Sequence, residues 1–165
     1  MAKKSKQTHG TQAILALEKA GIAHTVHPYE HDPANDLGYG LEAAQAIGVP
    51  APQVFKTLMA SVDGKLAVAV VPVDKKLDLK AFAAALGGKK AVMAEAAAAE
   101  RATGYVVGGI SPLGQKSVHP TVIDESALTF DAVYVSGGRR GLDVGLAPAE
   151  LIATTRARTA PIARD

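Results

Sequence analysis

Cysteine is absent from the 165 residues, and so is tryptophan. Without cysteine the protein has no thiol nucleophile of its own, no cysteine-ligated zinc and no disulfide. That composition fits a cytoplasmic protein. Phenylalanine and tyrosine make up only 4% of the chain, too few for a platform that stacks successive bases of a single strand. No run approaches the roughly 18 uninterrupted apolar residues that suggest a membrane span. The first ten residues are basic but contain no apolar segment of the signal-peptide kind. Charge of one sign is scarce as well. The net charge is +2 and the isoelectric point about 8.8, which tolerates an anionic partner without demanding one.

What remains is an ordinary globular composition, 48% hydrophobic and 21% charged, at a length that suits one domain. Part of the basic excess is terminal: Lys3, Lys4 and Lys6 at one end, Arg156, Arg158 and Arg164 at the other. Both ends read as solvated tails, residues 1–10 and 154–165, around a single domain over residues 11–153.

Periodicity and punctuation mark the elements. Thr11 caps a helix that Gly21 stops. A short strand follows over Ala23–Tyr29, then a helix over Gly40–Ile47. Asp63-Gly64 signals a type I′ hairpin between a strand containing Lys56 and a return strand over Lys65–Val73. That turn predicts Val62 opposite Lys65 and Lys56 opposite Val71. The return strand is apolar on both faces, so its sheet is expected to be covered on both sides. Further on, the pattern predicts helices over Leu77–Leu86 and Glu95–Ala102, strands over Lys90–Met93, Gly104–Val107, Thr121–Asp124, Ala132–Ser136 and Leu142–Leu146, and a helix opened by Pro148. Helices and hairpins are mixed, which predicts an α+β fold with a mixed sheet.

Lys56 is the first candidate for function. It interrupts an apolar strand, Val54-Phe55-Lys56-Thr57-Leu58-Met59-Ala60, with no carboxylate within six residues on either side. Burying an ammonium costs several kcal/mol unless something negative meets it. Either Lys56 positions a bound anion such as a phosphate, or it snorkels its charge from a sheet edge. Gly108-Gly109-Ile110-Ser111-Pro112 either lets a ligand approach the backbone or forms a plain turn. Ser136-Gly137-Gly138-Arg139-Arg140-Gly141 reads as a phosphate loop or as a hairpin with solvated arginines, with Ser136 and Asp143 near each other across it. His24, His27 and His31 have no metal-binding spacing, because Pro28 prevents the helix that would align the last two. Ser111, His119 and Asp124 could be arranged as a triad on paper, but no G-x-S-x-G elbow supports it.

Three segments together resemble one family: Val54-Phe55-Lys56-Thr57-Leu58, then Gly104 through Gly114, then Ser136 through Asp143. In order and spacing they are similar to the YbaK/EbsC aminoacyl-tRNA deacylases, which resemble the editing domain of bacterial prolyl-tRNA synthetases. The likeness runs from about Thr11 to Ile152. It implies a mixed, mostly antiparallel, barrel-like sheet surrounded by helices, with a small pocket. It implies a trans-editing deacylase that clears Cys-tRNA(Pro) and Cys-tRNA(Cys), in which the cysteinyl thiol attacks its own ester. Sister branches act on Ala-tRNA(Pro) or other small aminoacyl-tRNAs, and a non-catalytic tRNA- or synthetase-binding module is the other alternative. By position, Lys56, Gly109, Ser136 and Asp143 are the implied catalytic residues. Tyr29, Thr57, Gly108, Ile110, Ser111, Pro112 and Gly137 are the implied substrate-binding residues. The implied partners are the 3′ end of a mischarged tRNA and prolyl-tRNA synthetase. No cofactor or metal is implied.

Overall fold

A two-residue turn sets the register of the central hairpin. A computed structural model of the protein describes residues 10–165. The expected N-terminal tail, apart from Gly10, lies outside them. Strand β1 spans Thr25–Pro28, β2 spans Phe55–Val62 and β3 spans Lys65–Pro72. Asp63 and Gly64 both have positive φ, 50° and 87°, as a type I′ turn requires. Val62 therefore faces Lys65 and Lys56 faces Val71, as the sequence predicts.

Around this hairpin the remaining strands are β4 (Lys76–Leu77), β5 (Ala91–Met93), β6 (Thr121–Asp124), β7 (Val133–Arg139), β8 (Leu142–Leu146), β9 (Arg158–Ala160) and β10 (Ala163–Arg164). One sheet runs β5-β2-β3-β6-β9, with β6 parallel to both its neighbours; a second runs β1-β8-β7, and a third pairs β10 with β4. The α+β class and mixed pairing agree with expectation. The described strands form separate sheets and not a closed barrel. A single bridge between Val54 and Tyr134 joins the start of β2 to β7.

The helices are α1 (Gln12–Ala20), α2 (Tyr39–Ile47), α3 (Leu79–Ala85), α4 (Ala96–Thr103) and α5 (Pro148–Thr155). Thr11 caps α1 by accepting the Ile14 N–H at 3.2 Å, and Gly21 ends it in the left-handed region at φ 68°. α1 packs Ile14 and Leu17 with Met59, Val68, Val70 and Ile123 on one face of the large sheet. On the other face Phe82 and Ile162 meet Ala60, Ala69 and Val71. Burial on both sides is why β3 is apolar at every position from Ala67 to Val71.

Three expectations are corrected. Residues Gly104–Val107 form no strand. Gly104 is left-handed at φ 82°, Val107 donates its N–H to the Glu100 carboxylate at 2.9 Å, and Gly109 donates to Val106 O at 2.8 Å, so a turn replaces the ladder. The helix expected from Leu77 starts at Leu79, because Asp78 caps it and Leu77 pairs with Ala163. The segment read as a C-terminal tail is folded into the domain. It completes α5 and forms β9 and β10, with Ile162 wholly buried and the N–H groups of Ile162 and Ala163 bound by the Asp124 carboxylate.

Candidate active site

The edge of β2 is open where the cavity begins. β2 pairs with β3 along its full length but with β5 only from Ala60 to Val62. From Phe55 to Met59 that second edge has no strand beside it among the described residues. A cavity of about 390 Å³ lies there, within the usual range for a small-molecule site. Its lining divides by chemistry. It combines polar side chains, Tyr29, Tyr39, Lys56, Ser136 and Asp143, with apolar ones, Met59, Met93, Ala94, Ala96, Ala99 and Ile110.

Lys56 is half-buried on this edge and makes no ion pair within 4.0 Å among the described residues. Burial holds its ammonium below the ordinary lysine value, against an opposing pull from Asp74. A cation in that state is stabilised by an incoming anion, because the cost of desolvating it has already been met in the fold.

Asp143 and Ser136 are register partners across the β7–β8 hairpin. Asp143 is 5% exposed and has no hydrogen-bond or salt-bridge partner among the described side chains. Burial pushes its carboxyl up to about 7. Tyr29 is anchored beside it by its N–H on Gly141 O at 2.8 Å. Burial first, then the Asp143 and Glu42 charges, push the Tyr29 phenol up to about 12, against a backbone hydrogen bond from Gly141. Ser136 Oγ accepts the Gly138 N–H at 3.1 Å. No histidine stands among the lining residues, so Ser136 has no base of the serine-hydrolase type.

Thr57 adds an unpartnered group. Its Oγ1 is buried and has no hydrogen bond among the described residues. A buried hydroxyl without a partner costs about 1–3 kcal/mol.

The cavity thus brings together Tyr29, Lys56, Thr57, Gly108, Ile110, Ser136 and Asp143. Gly109, Ser111, Pro112 and Gly137 are absent from its lining. Gly109 is buried behind Gly108, and a Cβ there would meet the Arg139 Cα at 2.7 Å. Its N–H is also engaged by Val106 O, so Gly109 supports the wall and offers no free donor. Ser111 is fully buried and accepts the Leu113 N–H at 3.2 Å. Pro112 is likewise buried. Gly137 O accepts from the Thr11 hydroxyl, tying the hairpin to α1. The paper triad is dispersed: His119 contacts Gln115, and Asp124 binds backbone N–H groups near Ile162.

Tyr39 is a lining residue the sequence did not announce. Its ring packs on Gly108, where a Cβ would sit 2.7 Å from it. The Arg140 guanidinium lies 5.0 Å above the ring and donates its Nε–H to Val107 O at 2.8 Å. His31, held by Glu42 at 2.7 Å, stands 5.2 Å from the same ring. The glycines on both sides, Gly38 and Gly40, were the available signal.

Comparison with known proteins gives consistent results. The model of the aminoacyl-tRNA editing domain family matches residues 39–154. An Enterococcus faecalis protein named "Putative Cys-tRNA(Pro)/Cys-tRNA(Cys) deacylase EbsC" is 36% identical over 164 residues, covering 98% of each chain. The crystal structure of "a putative trans-editing enzyme for prolyl tRNA synthetase" is 28% identical, with a TM-score of 0.81 over 93% of this chain and 96% of that one. A solved hypothetical protein is 26% identical, with a TM-score of 0.82 over 93% of this chain and 99% of its own.

Proposed function

The chain belongs to the aminoacyl-tRNA editing domain family, and from that premise we propose that it is a trans-editing deacylase for cysteine mischarged on tRNA(Pro), and for Cys-tRNA(Cys). The observation that carries this reading is the pair of unneutralised groups in one cavity, the Lys56 ammonium and the Asp143 carboxyl, with no nucleophile–base pair beside them. The protein offers charge and position; the substrate supplies the nucleophile.

Lys56 anchors a phosphate near the tRNA 3′ end as a fixed positive point. Asp143 receives the α-ammonium of the amino acid, an ion pair that restores its carboxylate form. Ser136 and Tyr29 line the same cavity. The cysteinyl sulfur then attacks the ester carbonyl carbon. A C–S bond forms, the C–O bond to the ribose breaks, and the thiol proton ends on the ribose oxygen. The cyclic thioester released is hydrolysed by water. Holding sulfur and carbonyl in attacking geometry is the kind of contribution that positioning alone makes large.

This chemistry also accounts for selectivity. One methylene is worth only about 1–3 kcal/mol in a pocket, so size alone discriminates poorly between cysteine and alanine. Self-attack requires the thiol. The likeness to a trans-editing enzyme for prolyl tRNA synthetase supports that synthetase as a working partner, and the role fits a cytoplasmic protein.

The test is to incubate the protein with Cys-tRNA(Pro), S-methylcysteinyl-tRNA(Pro) and Ala-tRNA(Pro). Release of cysteine alone is the expected result. Release of the S-methyl derivative at an equal rate would remove the self-attack. Release of alanine with cysteine untouched would assign the site to another small amino acid. Saturable tRNA binding without any release would make the chain a binding module.

A further inference from the structure

The arginine turn between β7 and β8 has no part in the cavity, yet it is held against it. Arg139 and Arg140 are both exposed. Arg140 is not a lining residue, but it touches two that are, Tyr39 and Val107, each more than a third exposed. Arg140 therefore stands where the cavity wall meets solvent. The backbone of the turn is braced on both sides. A Cβ on Gly109 would lie 2.7–2.8 Å from the Arg139 and Arg140 backbone. A Cβ on Gly141, which is left-handed at φ 80°, would lie 2.6 Å from Tyr29 O. The Arg140 side chain is braced as well, by its Nε–H on Val107 O at 2.8 Å and by the Tyr39 ring 5.0 Å below its guanidinium. These contacts use Nε and one face. The two Nη groups have no hydrogen bond or ion pair among the described residues. Arg139 folds back over the turn, donating from Nη1 to Arg140 O at 3.2 Å, and adds a second positive charge. The Glu100 carboxylate approaches Val107 from the other side, through its N–H at 2.9 Å, and makes no ion pair with either arginine.

We propose that Arg140, with Arg139 beside it, is a second phosphate site outside the cavity, which grips a phosphodiester of the RNA chain whose end lies within. An arginine offers paired N–H donors that match two phosphate oxygens. One already held in place by stacking and by its Nε bond loses little freedom when it binds. The net charge of +2 supplies no general pull on RNA, so a local pair of cations must do this work. The inference rests on the editing reading only for the source of the phosphate. A small phosphate compound carries the same oxygens. In deacylation Arg140 is a positioning residue: it holds the chain and does not touch the ester.

Two experiments on the full chain test this. In the first, kcat and KM are measured for wild type and Arg140→Gln over a range of salt concentrations, on Cys-tRNA(Pro) and on cysteinyl adenosine, which has no phosphate. On the tRNA the variant should lose about tenfold or more in kcat/KM at low salt, mainly through KM. Its plot of log kcat/KM against log salt should flatten by about 0.7, the value for one phosphate contact on a single strand. Cysteinyl adenosine should lose far less. An equal loss on both substrates, or an unchanged salt slope, would make Arg140 a structural clamp on Tyr39 and overturn the proposal. In the second, 15N-labelled protein is titrated with the uncharged trinucleotide CpCpA, the sequence that ends every tRNA, and with inorganic phosphate. The trinucleotide should shift the amides of Arg139, Arg140 and Gly141, and should bind Arg140→Gln about tenfold more weakly. No shift at the turn, or inorganic phosphate binding as tightly as the trinucleotide, would overturn the assignment to RNA. If no cysteinyl substrate turns over yet CpCpA still binds through Arg140, the editing reading fails and the phosphate site stands.

Discussion

Asp143 stands directly opposite Ser136 across the β7–β8 hairpin, buried in the cavity wall with no salt-bridge partner among the described residues. Such a group weakens the fold.

That cost depends on pH. Burial lifts the Asp143 carboxyl to about 7, whereas in the unfolded chain it titrates at its ordinary value. Between roughly pH 4 and 7 the folded protein holds this proton more tightly, so stability falls as pH rises through the window. Above it the penalty is complete, of order 4 kcal/mol at about 1.4 kcal/mol per pH unit. Asp143→Asn should therefore melt higher than wild type at pH 8, show no such gain at pH 4, and lose deacylation. Thermal unfolding at the two pH values checks this. An equal effect at both would mean that the carboxyl is not desolvated.

Gly109→Ala tests the wall behind the cavity. The added Cβ would lie 2.7–2.8 Å from the backbone of Arg139 and Arg140, and backbone cannot swing aside as a side chain does. Overpacking of this kind costs about 1–3 kcal/mol, or roughly 3–10 °C in Tm at this chain length. An unchanged Tm would show that the hairpin is not packed on Gly109.

Removing residues 158–165 tests the folded C-terminus. The truncation deletes β9, β10 and the buried Ile162, and takes two N–H donors from the Asp124 carboxylate. The Ile162 side chain alone is worth about 2–5 kcal/mol, so a fall in Tm of more than 5 °C or insoluble protein is expected. A truncated chain that melts like the full one would make the segment a tail after all.

The parts of this architecture legible in the sequence are those set by local rules. Asp63-Gly64 determined the hairpin register down to the Lys56–Val71 pair, and the short Ser136–Asp143 spacing placed those two residues together. Gly104–Val107 misled because two valines favour a strand, whereas the glycines around them take left-handed angles and Glu100 captures the Val107 N–H. Arg158 and Arg164 suggested a solvated end. They are the exposed positions of short strands whose neighbour, Ile162, is buried. Tyr39 and the apolar wall around Met93 and Ala99 depend on how distant segments meet around the open edge of β2, which no local pattern records.

The central claim is that Lys56 is a geometrically fixed anchor and not a structural residue. Single-turnover release of cysteine from Cys-tRNA(Pro), measured for wild type, Lys56→Ala and Lys56→Arg alongside their thermal unfolding, tests it most directly. Lys56 has no ion pair to lose among the described residues and its ammonium is partly desolvated, so Lys56→Ala should fold with stability equal to or above wild type and Lys56→Arg with stability near it. Lys56→Ala should lose at least 100-fold in rate, about 2.7 kcal/mol, and Lys56→Arg should lose much of the rate despite keeping the charge. Wild-type rates in Lys56→Ala, or a loss of rate that only tracks unfolding, would contradict the account.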